Sequence, residues 1–295
     1  MNFKEKYKIW SKRNEECLHL FFNDPVPECV TLTDSVKYSL FAGGKRIRPV
    51  LMYAVCELID MIPDKTVDIF AAVLEMIHTS SLIHDDLPSM DNDVLRRGCP
   101  TNHMVYGEAT AILAGDTLMF DAFHIAASHI YHYGFSKGGV KALWKLGYAS
   151  GYNGMTGGQV IDMESKREFT DLNRLILMNS KKTGALIDFA IKAPIYLTET
   201  EDLHEKNLDI FSMAIGQAFQ IKDDILDYES NVEILGKSTS DEKNNKSTFV
   251  TVLGIDSAKN KLEECIDTAC KAIKVYGGKA DFLMETAQYI KNRSK

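Results

Sequence analysis

Hydrophobic residues recur at intervals of three and four along almost the whole chain. One such series is Ile69, Phe70, Val73, Leu74 and Ile77, and a second runs from residue 210 to residue 221. Residues at this spacing share one face of an α-helix, so each series predicts a helix that buries that face in a core. Strand-like alternation bounded by turn pairs is rare. The pattern therefore predicts an all-α protein of about ten helices.

Short polar segments separate the predicted helices. With only 7 prolines and 19 glycines in the chain, the breaks are expected at residues 23–28, 41–49, 60–66, 87–93, 132–139 and 193–202. Pro49 suits the first turn of a helix, and Pro88 should end the preceding helix near Asp86. The longest polar stretch, residues 227–248, is predicted to be a surface loop that could close over a site as a lid.

Composition narrows the possible classes of protein. The 295 residues are 45% hydrophobic, which allows one large helical domain spanning residues 1–295. A net charge of −7 argues against nucleic-acid binding through bulk positive charge. Six cysteines without a C-x-x-C pair favour reduced thiols in a cytoplasmic protein. Neither a signal peptide nor an uninterrupted apolar run of about 18 residues is recognisable, so no membrane span is predicted.

The segment SLIHDDLPSMDNDVLRRG, residues 81–98, places acidic residues beside an apolar helix. Its aspartates are Asp85, Asp86, Asp91 and Asp93. The first two are expected in the last turn of that helix, and a bend at Pro88 can return Asp91 toward Asp85. Two carboxylates about 5 Å apart repel by roughly 3 kcal/mol at an effective dielectric of about 20, so the cluster needs a counter-charge. Oxygen ligands indicate a hard divalent cation, most simply Mg²⁺, although a solvated acidic turn explains this segment alone about equally well.

A second acidic motif, D-D-x-x-D, lies in FQIKDDILDYE, residues 219–229. It places Asp223 and Asp227 at i and i+4 on one helical face, with Gln220 near that face. The opposite side is apolar and is expected to be core. An exposed acidic face is the simpler alternative, but two acidic clusters that each adjoin an apolar helix weaken it. If the clusters face each other, they could hold two or three cations.

Basic residues at several positions could bind anions beside such cations. They are Lys45, Arg46 and Arg48 in GGKRIRP, Arg96 and Arg97 after the first acidic cluster, Lys182 beside Thr183, and Lys237 and Lys246. Arginine binds phosphate oxygens in bidentate fashion, and lysine adds a point charge. Together with the acids they indicate two polyanionic substrates, one bound through metal and one bound directly. His78 shares a helical face with Asp85 and is either a core histidine or a donor to a phosphate.

Several segments, in this order along the chain, resemble those of the bacterial trans-prenyl diphosphate synthases. They are GGKRIRP, the run from residue 81 to residue 116, GMTGGQVIDM, KKTGALIDFAI, and the run from residue 219 to residue 238. The combination of D-D-x-x-x-x-D, D-D-x-x-D and G-K-R-x-R-P is specific to the family. The resemblance covers roughly residues 40–250, with the farnesyl and geranylgeranyl diphosphate synthases as the nearest subgroups.

The resemblance implies a single helical bundle around a deep central cavity, a homodimer, and a site built from four groups of residues. Two or three Mg²⁺ ions, for which Mn²⁺ can substitute, would bind Asp85, Asp91 and Asp223, with Asp86 and Asp227 as further ligands or supporting acids. The allylic diphosphate would contact Arg96, Lys182, Thr183, Gln220, Lys237 and Lys246. Isopentenyl diphosphate would contact Lys45, Arg48, His78 and Arg97. Near the reacting carbons the cavity would be lined by Gln159 and Asp162. Catalysis would depend on Lys182 and on both acidic motifs, Asp224 included.

The implied reaction is the Mg²⁺-dependent head-to-tail condensation of isopentenyl diphosphate with dimethylallyl or geranyl diphosphate. The product would be farnesyl diphosphate, with extension to geranylgeranyl diphosphate left open. A terpene cyclase is one alternative, but it needs no second diphosphate site. A non-catalytic subunit of a heteromeric synthase is another, but such a subunit could lose its acids, whereas this chain keeps both sets.

Product length is predicted from the helix before Asp85. Many farnesyl-producing members have an aromatic residue five positions before that aspartate, where this chain has Ser80, followed by Ser81. The growing chain is expected to run down this helix, and a serine leaves space for it. The product is then a twenty-carbon chain, or a fifteen-carbon chain whose floor lies elsewhere. The candidates for such a floor are Met76, Met119 and Phe120.

Overall fold

A computed structural model describes residues 1–22, 27–133, 135–165, 171–235 and 247–294, without the side chains of residues 231–235. Within these ranges it contains fourteen α-helices and one two-stranded hairpin, which confirms the all-α prediction. The helices form two compact units, an N-terminal unit, Met1–Trp144, and a C-terminal unit, Lys145–Lys295. That the chain is one domain around a central cavity stays a prediction.

The N-terminal unit contains six complete helices. They are α1 (Phe3–Leu20), α2 (Val30–Leu40), α3 (Ile47–Leu58), α4 (Lys65–Asp85), α5 (Asn102–Tyr106) and α6 (Glu108–Tyr133). A 3₁₀ turn, Pro27–Cys29, precedes α2, and the boundary between the units falls within α7 (Lys137–Ser150). The predicted breaks at 41–49, 60–66 and 132–139 coincide with the connections before α3, α4 and α7.

Helix α4 is the core of the N-terminal unit and contacts α1, α2, α3 and α6. It begins at its N-cap Asp64, whose Oδ1 accepts hydrogen bonds from the N–H groups of Thr66 (2.9 Å) and Val67 (3.0 Å). A side chain at Gly115 of α6 would overlap His84, so α6 approaches α4 closely where α4 ends. Among the described residues α4 is also the one helix apolar and long enough to cross a membrane, but 72% of that apolar window is buried, as in a core helix.

The C-terminal unit is built around one long helix. Its elements are α8 (Met155–Ser165), α9 (Leu172–Asn179), a π-helical turn (Ser180–Gly184), α10 (Ala185–Thr198), α11 (Glu201–Leu235), α12 (Phe249–Leu253), α13 (Ile255–Ile273), a 3₁₀ segment (Lys274–Ala280) and α14 (Asp281–Asn292). Helix α11 contacts α9, α10, α12, α13, α14 and the π-helical turn. It therefore positions most of this unit.

Two predicted boundaries are wrong. The break at 193–202 shrinks to two residues, because α10 continues through Pro194 to Thr198. Proline lacks the N–H that would bond one turn back, but Pro194 and its neighbours Ala193 and Ile195 are buried, and their packing maintains the helix. The loop predicted at 227–248 also begins late, because α11 extends to Leu235. Residues 236–246 lie outside the described part of the chain, so the lid stays a prediction.

Candidate active site

The first acidic cluster lies where α4 ends. The helix stops at Asp85 with Asp86 as its C-cap, as Pro88 predicts. The backbone N–H of Asp91 then donates a hydrogen bond to the carbonyl oxygen of Asp85 (2.9 Å). This bond confirms the predicted return of Asp91 toward Asp85.

A short hairpin follows the acidic loop and carries two arginines. Strand β1 (Leu95–Arg96) pairs antiparallel with β2 (Cys99–Pro100) through a two-residue turn of Arg97 and Gly98. Both turn residues have positive φ, 54° and 80°, as the two-residue hairpin turn of type I′ requires. A non-glycine residue rarely adopts this conformation, so the hairpin holds Arg97 in a strained backbone geometry.

The carboxylate of Asp86 forms an ion pair with Arg96. Both of its carboxylate oxygens accept from Nε (2.8 Å each), and Nη2 lies 2.6 Å from Oδ1. Burial acts to lower the pKa of Arg96, but the hydrogen bonds and charge of Asp86 outweigh it and the pKa is raised. Asp86 is only 3% exposed. The structure thus shows Asp86 orienting Arg96, which fits the predicted role of a supporting acid, while direct binding of Asp86 to metal stays a prediction.

The glycine pair of GGKRIRP, Gly43 and Gly44, contacts the Arg97 side chain. The Arg97 guanidinium donates through Nη1 to the carbonyl oxygen of Gly43. A Cβ on Gly44 would lie 2.9 Å from three atoms of the same guanidinium, and Gly44 has a φ of 140°. Glycine is thus required here by its backbone conformation, and it leaves room for the guanidinium beside it. Two basic segments that are far apart in sequence meet at this point.

Arg46 has a structural role that differs from those of its basic neighbours. It is buried, its Nη1 lies 3.1 Å from Oε2 of Glu75, and its Nη2 donates to the carbonyl oxygen of Leu40 (2.7 Å). This buried ion pair fixes the loop to α4. The hydroxyl of Tyr7 holds the same loop by donating to the carbonyl oxygen of Lys45 (2.5 Å).

His78 lies within the field of these basic residues. Burial lowers its pKa well below 6.5, and the charges of Arg48 and Arg97 lower it further. The imidazole is therefore neutral at pH 7, with one N–H to donate. Three of the four residues predicted to bind isopentenyl diphosphate therefore lie close enough to interact in the N-terminal unit. They are Arg48, His78 and Arg97.

The residues predicted to set product length lie on α4 and α6. Ser80 is completely buried, and its Oγ has no hydrogen-bond partner among the described residues. Ser81 donates to the carbonyl oxygen of His78 (2.8 Å). Met76, one turn before Ser80 on the same face of α4, is also completely buried. Phe120 is 72% exposed, so it does not line the interior of this chain, and its role as a floor stays a prediction.

In the C-terminal unit Lys182 contacts α8. Its Nζ lies 2.6 Å from Oδ2 of Asp162, a carboxylate that is 2% exposed. One turn earlier on α8 is Gln159, whose amide nitrogen and oxygen are both buried and have no hydrogen-bond partner among the described residues. Leaving such a group unpaired costs roughly 1–3 kcal/mol, which makes it a candidate ligand contact.

The second acidic motif lies on α11, which confirms that Gln220, Asp223 and Asp227 share a helix. The Thr183 hydroxyl donates to Oε1 of Gln220 (2.9 Å), and Nε2 of Gln220 donates to Oδ1 of Asp224 (2.9 Å). Oδ2 of Asp224 accepts the N–H of Phe249 (2.7 Å). Asp224 therefore supports Gln220 and the start of α12, and its predicted catalytic role stays a prediction.

Asp223 has a partner that the sequence did not suggest. Nη2 of Arg293 lies 2.7 Å from Oδ1 of Asp223 and also donates to the carbonyl oxygen of Phe219 (3.0 Å). The guanidinium lies 4.3 Å from the centre of the Phe219 ring. A single arginine near the C-terminus has no motif around it, so only tertiary structure reveals this contact.

Lys237 and Lys246 lie outside the described residues.

The described residues offer pairs of carboxylates as possible metal ligands. Within the described residues no group of three or more His, Cys, Asp or Glu side chains could hold an ion. Asp85 and Asp91 form one pair on α4 and its loop, and Asp223 and Asp227 form another on α11. Mg²⁺ binds through one or two carboxylates plus substrate phosphates rather than in a protein cage. The residues therefore fit Mg²⁺ when a diphosphate completes its coordination.

Comparison with known proteins identifies the class. The polyprenyl synthetase family profile matches residues 30–276, so this chain belongs to that family, which is generally Mg²⁺-dependent. It is 42% identical to the farnesyl diphosphate synthase of Bacillus subtilis, covering 89% of each chain. It is 41% identical to the geranylgeranyl diphosphate synthase of Cyanophora paradoxa, covering 88% of this chain and 87% of the other. The solved geranyltransferase of Legionella pneumophila superposes with a TM-score of 0.88 at 32% identity, covering 99% and 97%.

Proposed function

We propose that this chain is a short-chain all-trans prenyl diphosphate synthase that condenses isopentenyl diphosphate with dimethylallyl or geranyl diphosphate. The observation that carries the proposal is that Arg97 and the basic segment GGKRIRP meet near His78. The same chain also has two acidic motifs suited to binding metal. A terpene cyclase has no use for a second diphosphate site. Farnesyl and geranylgeranyl diphosphate synthases among the relatives support the same reaction.

The allylic diphosphate is assigned to donors that buried acids or amides hold in place. Arg96 is oriented by Asp86, Lys182 by Asp162, and Thr183 by Gln220. Fixed donors of this kind stabilise negative charge without reorganising as it develops. Lys237 and Lys246 remain predicted members of the same group.

Isopentenyl diphosphate is assigned to Lys45, Arg48, His78 and Arg97. The two arginines and the lysine supply positive charge, and the neutral imidazole supplies one N–H. This group is assigned to direct binding, because Lys45, Arg48 and Arg97 carry positive charge that can bind a diphosphate without a metal. It would hold the isopentenyl double bond against the allylic carbon, which is the alignment that the reaction requires.

Asp85, Asp91, Asp223 and Asp227 are assigned to Mg²⁺, for which Mn²⁺ can substitute. When bound, the ions neutralise charge on the leaving diphosphate. That the two acidic sets serve a common chamber stays a prediction.

The reaction breaks the bond between the allylic C1 and the diphosphate oxygen. The isopentenyl double bond supplies the electron pair for the new carbon–carbon bond, and a proton leaves the isopentenyl unit for the departing diphosphate. Arg96 and Lys182 hold the diphosphate oxygens as they gain charge. Exclusion of water protects the allylic cation from hydrolysis.

A homodimer is the second part of the proposal. Helix α6 exposes large apolar side chains two turns apart, at Leu113 and Phe120, with Ile112 beside Leu113. Exposed large apolar side chains of this kind occur at protein interfaces, and a second copy of the chain would cover them. Sedimentation should give twice the chain mass, and Phe120→Asp should shift it toward one. A cytoplasmic location remains the prediction of the cysteine pattern.

The test is product identification by mass spectrometry after incubation with Mg²⁺, isopentenyl diphosphate and dimethylallyl or geranyl diphosphate. The proposal expects linear farnesyl or geranylgeranyl diphosphate, formed only when both substrates are present. A cyclic hydrocarbon formed without isopentenyl diphosphate would instead identify a cyclase. Turnover that appears only after another chain is added would identify a non-catalytic subunit.

A further inference from the structure

The π-helical turn that carries Lys182 and Thr183 packs directly against the backbone of α8. A Cβ on Gly158 would overlap the backbone nitrogen of Lys182 and lie 2.6 Å from its Cα, whereas real Cβ contacts essentially never fall below 3.0 Å. Gly158 itself is buried and has no positive φ. Its lack of a side chain is therefore required by the proximity of the turn and not by its own conformation.

The last residue of the same turn meets a second glycine. A Cβ on Gly216 of α11 would lie 3.2 Å from the Cα of Gly184, which is tighter than nine in ten real Cβ contacts. The turn is thus held backbone against backbone by α8 at Lys182 and by α11 at Gly184. Single π-helical turns are rare and occur frequently at functional sites.

Each of the two helices repeats one arrangement around the turn. On α8, Gly158 is followed one helical turn later by Asp162, which binds Lys182 at 2.6 Å. On α11, Gly216 is followed one helical turn later by Gln220, which accepts from Thr183 at 2.9 Å. Residues at i and i+4 lie on one helical face. Each helix therefore presents a contact surface for the turn and, on that face, a partner for its side chains.

We propose that Gly158 and Gly216 are positioning residues for the allylic diphosphate site. They set the place of the turn from which Lys182 and Thr183 present their donors. The inference rests on the proposed function, because it assigns the turn to the allylic substrate. It adds a specificity: displacement of the turn affects the allylic substrate and leaves isopentenyl diphosphate binding unchanged, since Lys45, Arg48, His78 and Arg97 belong to other elements.

A graded series of glycine-to-alanine variants tests this inference. Gly158→Ala forces the turn to move, and a misplacement of about 1 Å can cost about 100-fold in rate, so kcat/KM for the allylic substrate should fall by about that factor. Gly216→Ala should cause a smaller loss, because its contact is only tight. Gly278→Ala is the matched control, since its Cβ would meet just an ordinary 3.8 Å contact with Asp281. KM for isopentenyl diphosphate should stay within about twofold throughout.

A double variant separates positioning from general damage to the fold. If Gly158 acts through the turn, then Gly158→Ala should cost clearly less in a Lys182→Ala background, because one of the two donors it positions is already gone. Additive losses would show that the methyl group damages the enzyme by another route and would overturn the inference. Thermal unfolding of each variant establishes that the proteins compared are folded.

A binding measurement makes the inference independent of turnover. Affinity for inorganic pyrophosphate with Mg²⁺, measured by calorimetry, should weaken in the order Gly278→Ala, Gly216→Ala, Gly158→Ala. If Gly158→Ala does not fold, Gly216→Ala decides. Unchanged pyrophosphate affinity and unchanged allylic kcat/KM in a folded variant would overturn the inference. If pyrophosphate affinity falls across the variants in this order but the wild-type protein forms no prenyl product, the proposed function alone would be refuted.

Discussion

The two acidic motifs reach a similar local result from different structures. In the N-terminal unit the acids lie at the end of α4 and on a loop that returns to it, and a strained hairpin supplies the arginines. In the C-terminal unit the acids lie within a continuous helix, and a π-helical turn supplies the lysine and threonine. A helix end and a helix face can both present carboxylates beside fixed donors.

In both motifs the two adjacent aspartates differ in the same way, in their burial and in their partners. The second aspartate, Asp86 or Asp224, is almost completely buried and holds a polar side chain, Arg96 or Gln220. The first aspartate, Asp85 or Asp223, remains partly exposed. We therefore propose that adjacent carboxylates have separate tasks: the first of each pair binds metal, and the second orients a donor.

The largest effects are expected at the first aspartates. Asp85→Asn or Asp223→Asn should lower kcat on the order of 10³-fold, because a divalent ion contributes several kcal/mol of charge stabilisation. The Mg²⁺ concentration for half-maximal rate should rise in both variants. Asp267→Asn, at an exposed position on α13, is the control. An unchanged Mg²⁺ requirement in both variants would break the proposed division.

Smaller losses are expected at the second aspartates. Asp86→Asn and Asp224→Asn should lower kcat/KM for the allylic substrate by about 10- to 100-fold, as is typical for residues that orient ligand-binding groups. The Mg²⁺ requirement should stay close to that of the wild type. Titration of Mg²⁺ at saturating substrate measures it, and a rise as large as that of Asp85→Asn would place these carboxylates on the metal.

A change in product, with a modest change in rate, is expected on α4. Ser80→Phe should shorten the product, because the aromatic ring would fill the space that the buried serine leaves. Met76→Ala, one turn further along the same face, should lengthen it. Mass spectrometry of the products measures both, with Val275→Ser, at an exposed position of the 3₁₀ segment, as the control. A wild-type product spectrum in both Ser80→Phe and Met76→Ala would place the growing chain elsewhere.

The smallest effect concerns the pH dependence of His78. Because its pKa is lowered in the folded protein, the folded state binds fewer protons than the unfolded state below about pH 6.5, and stability should decline as the pH falls through that value. The decline should be weaker in His78→Asn. NMR titration should show no protonation of His78 between pH 8 and pH 6.5. A midpoint at or above 6.5 would contradict the predicted neutral imidazole.

Local sequence patterns predict much of this fold and part of the site. Periodicity identifies α4 and α11, and Pro88 predicts where α4 ends and why Asp91 returns. The same patterns fail at Pro194, where burial outweighs a local helix-breaking signal. They also cannot tell which aspartate of a pair is supporting, because that depends on partners from other elements. Asp224 binds the backbone of Phe249, and Asp86 binds a hairpin arginine.

The π-helical turn and the contact of Arg293 with Asp223 were equally inaccessible from sequence. Gly158 occurs within a glycine pair that could serve a turn, a flexible loop or a close contact, and only packing against Lys182 distinguishes these uses. Arg293 reaches Asp223 across 70 positions of the chain. Long-range contacts of this kind leave no periodic signal.

The division of the two Asp-Asp pairs is tested most directly by locating Mn²⁺ through its anomalous scattering in crystals grown with a non-reactive allylic diphosphate analogue. The account predicts manganese bound to Asp85 and Asp91 and to Asp223, while Asp86 keeps Arg96 and Asp224 keeps Gln220. Manganese coordinated by Asp86 or Asp224 would contradict it.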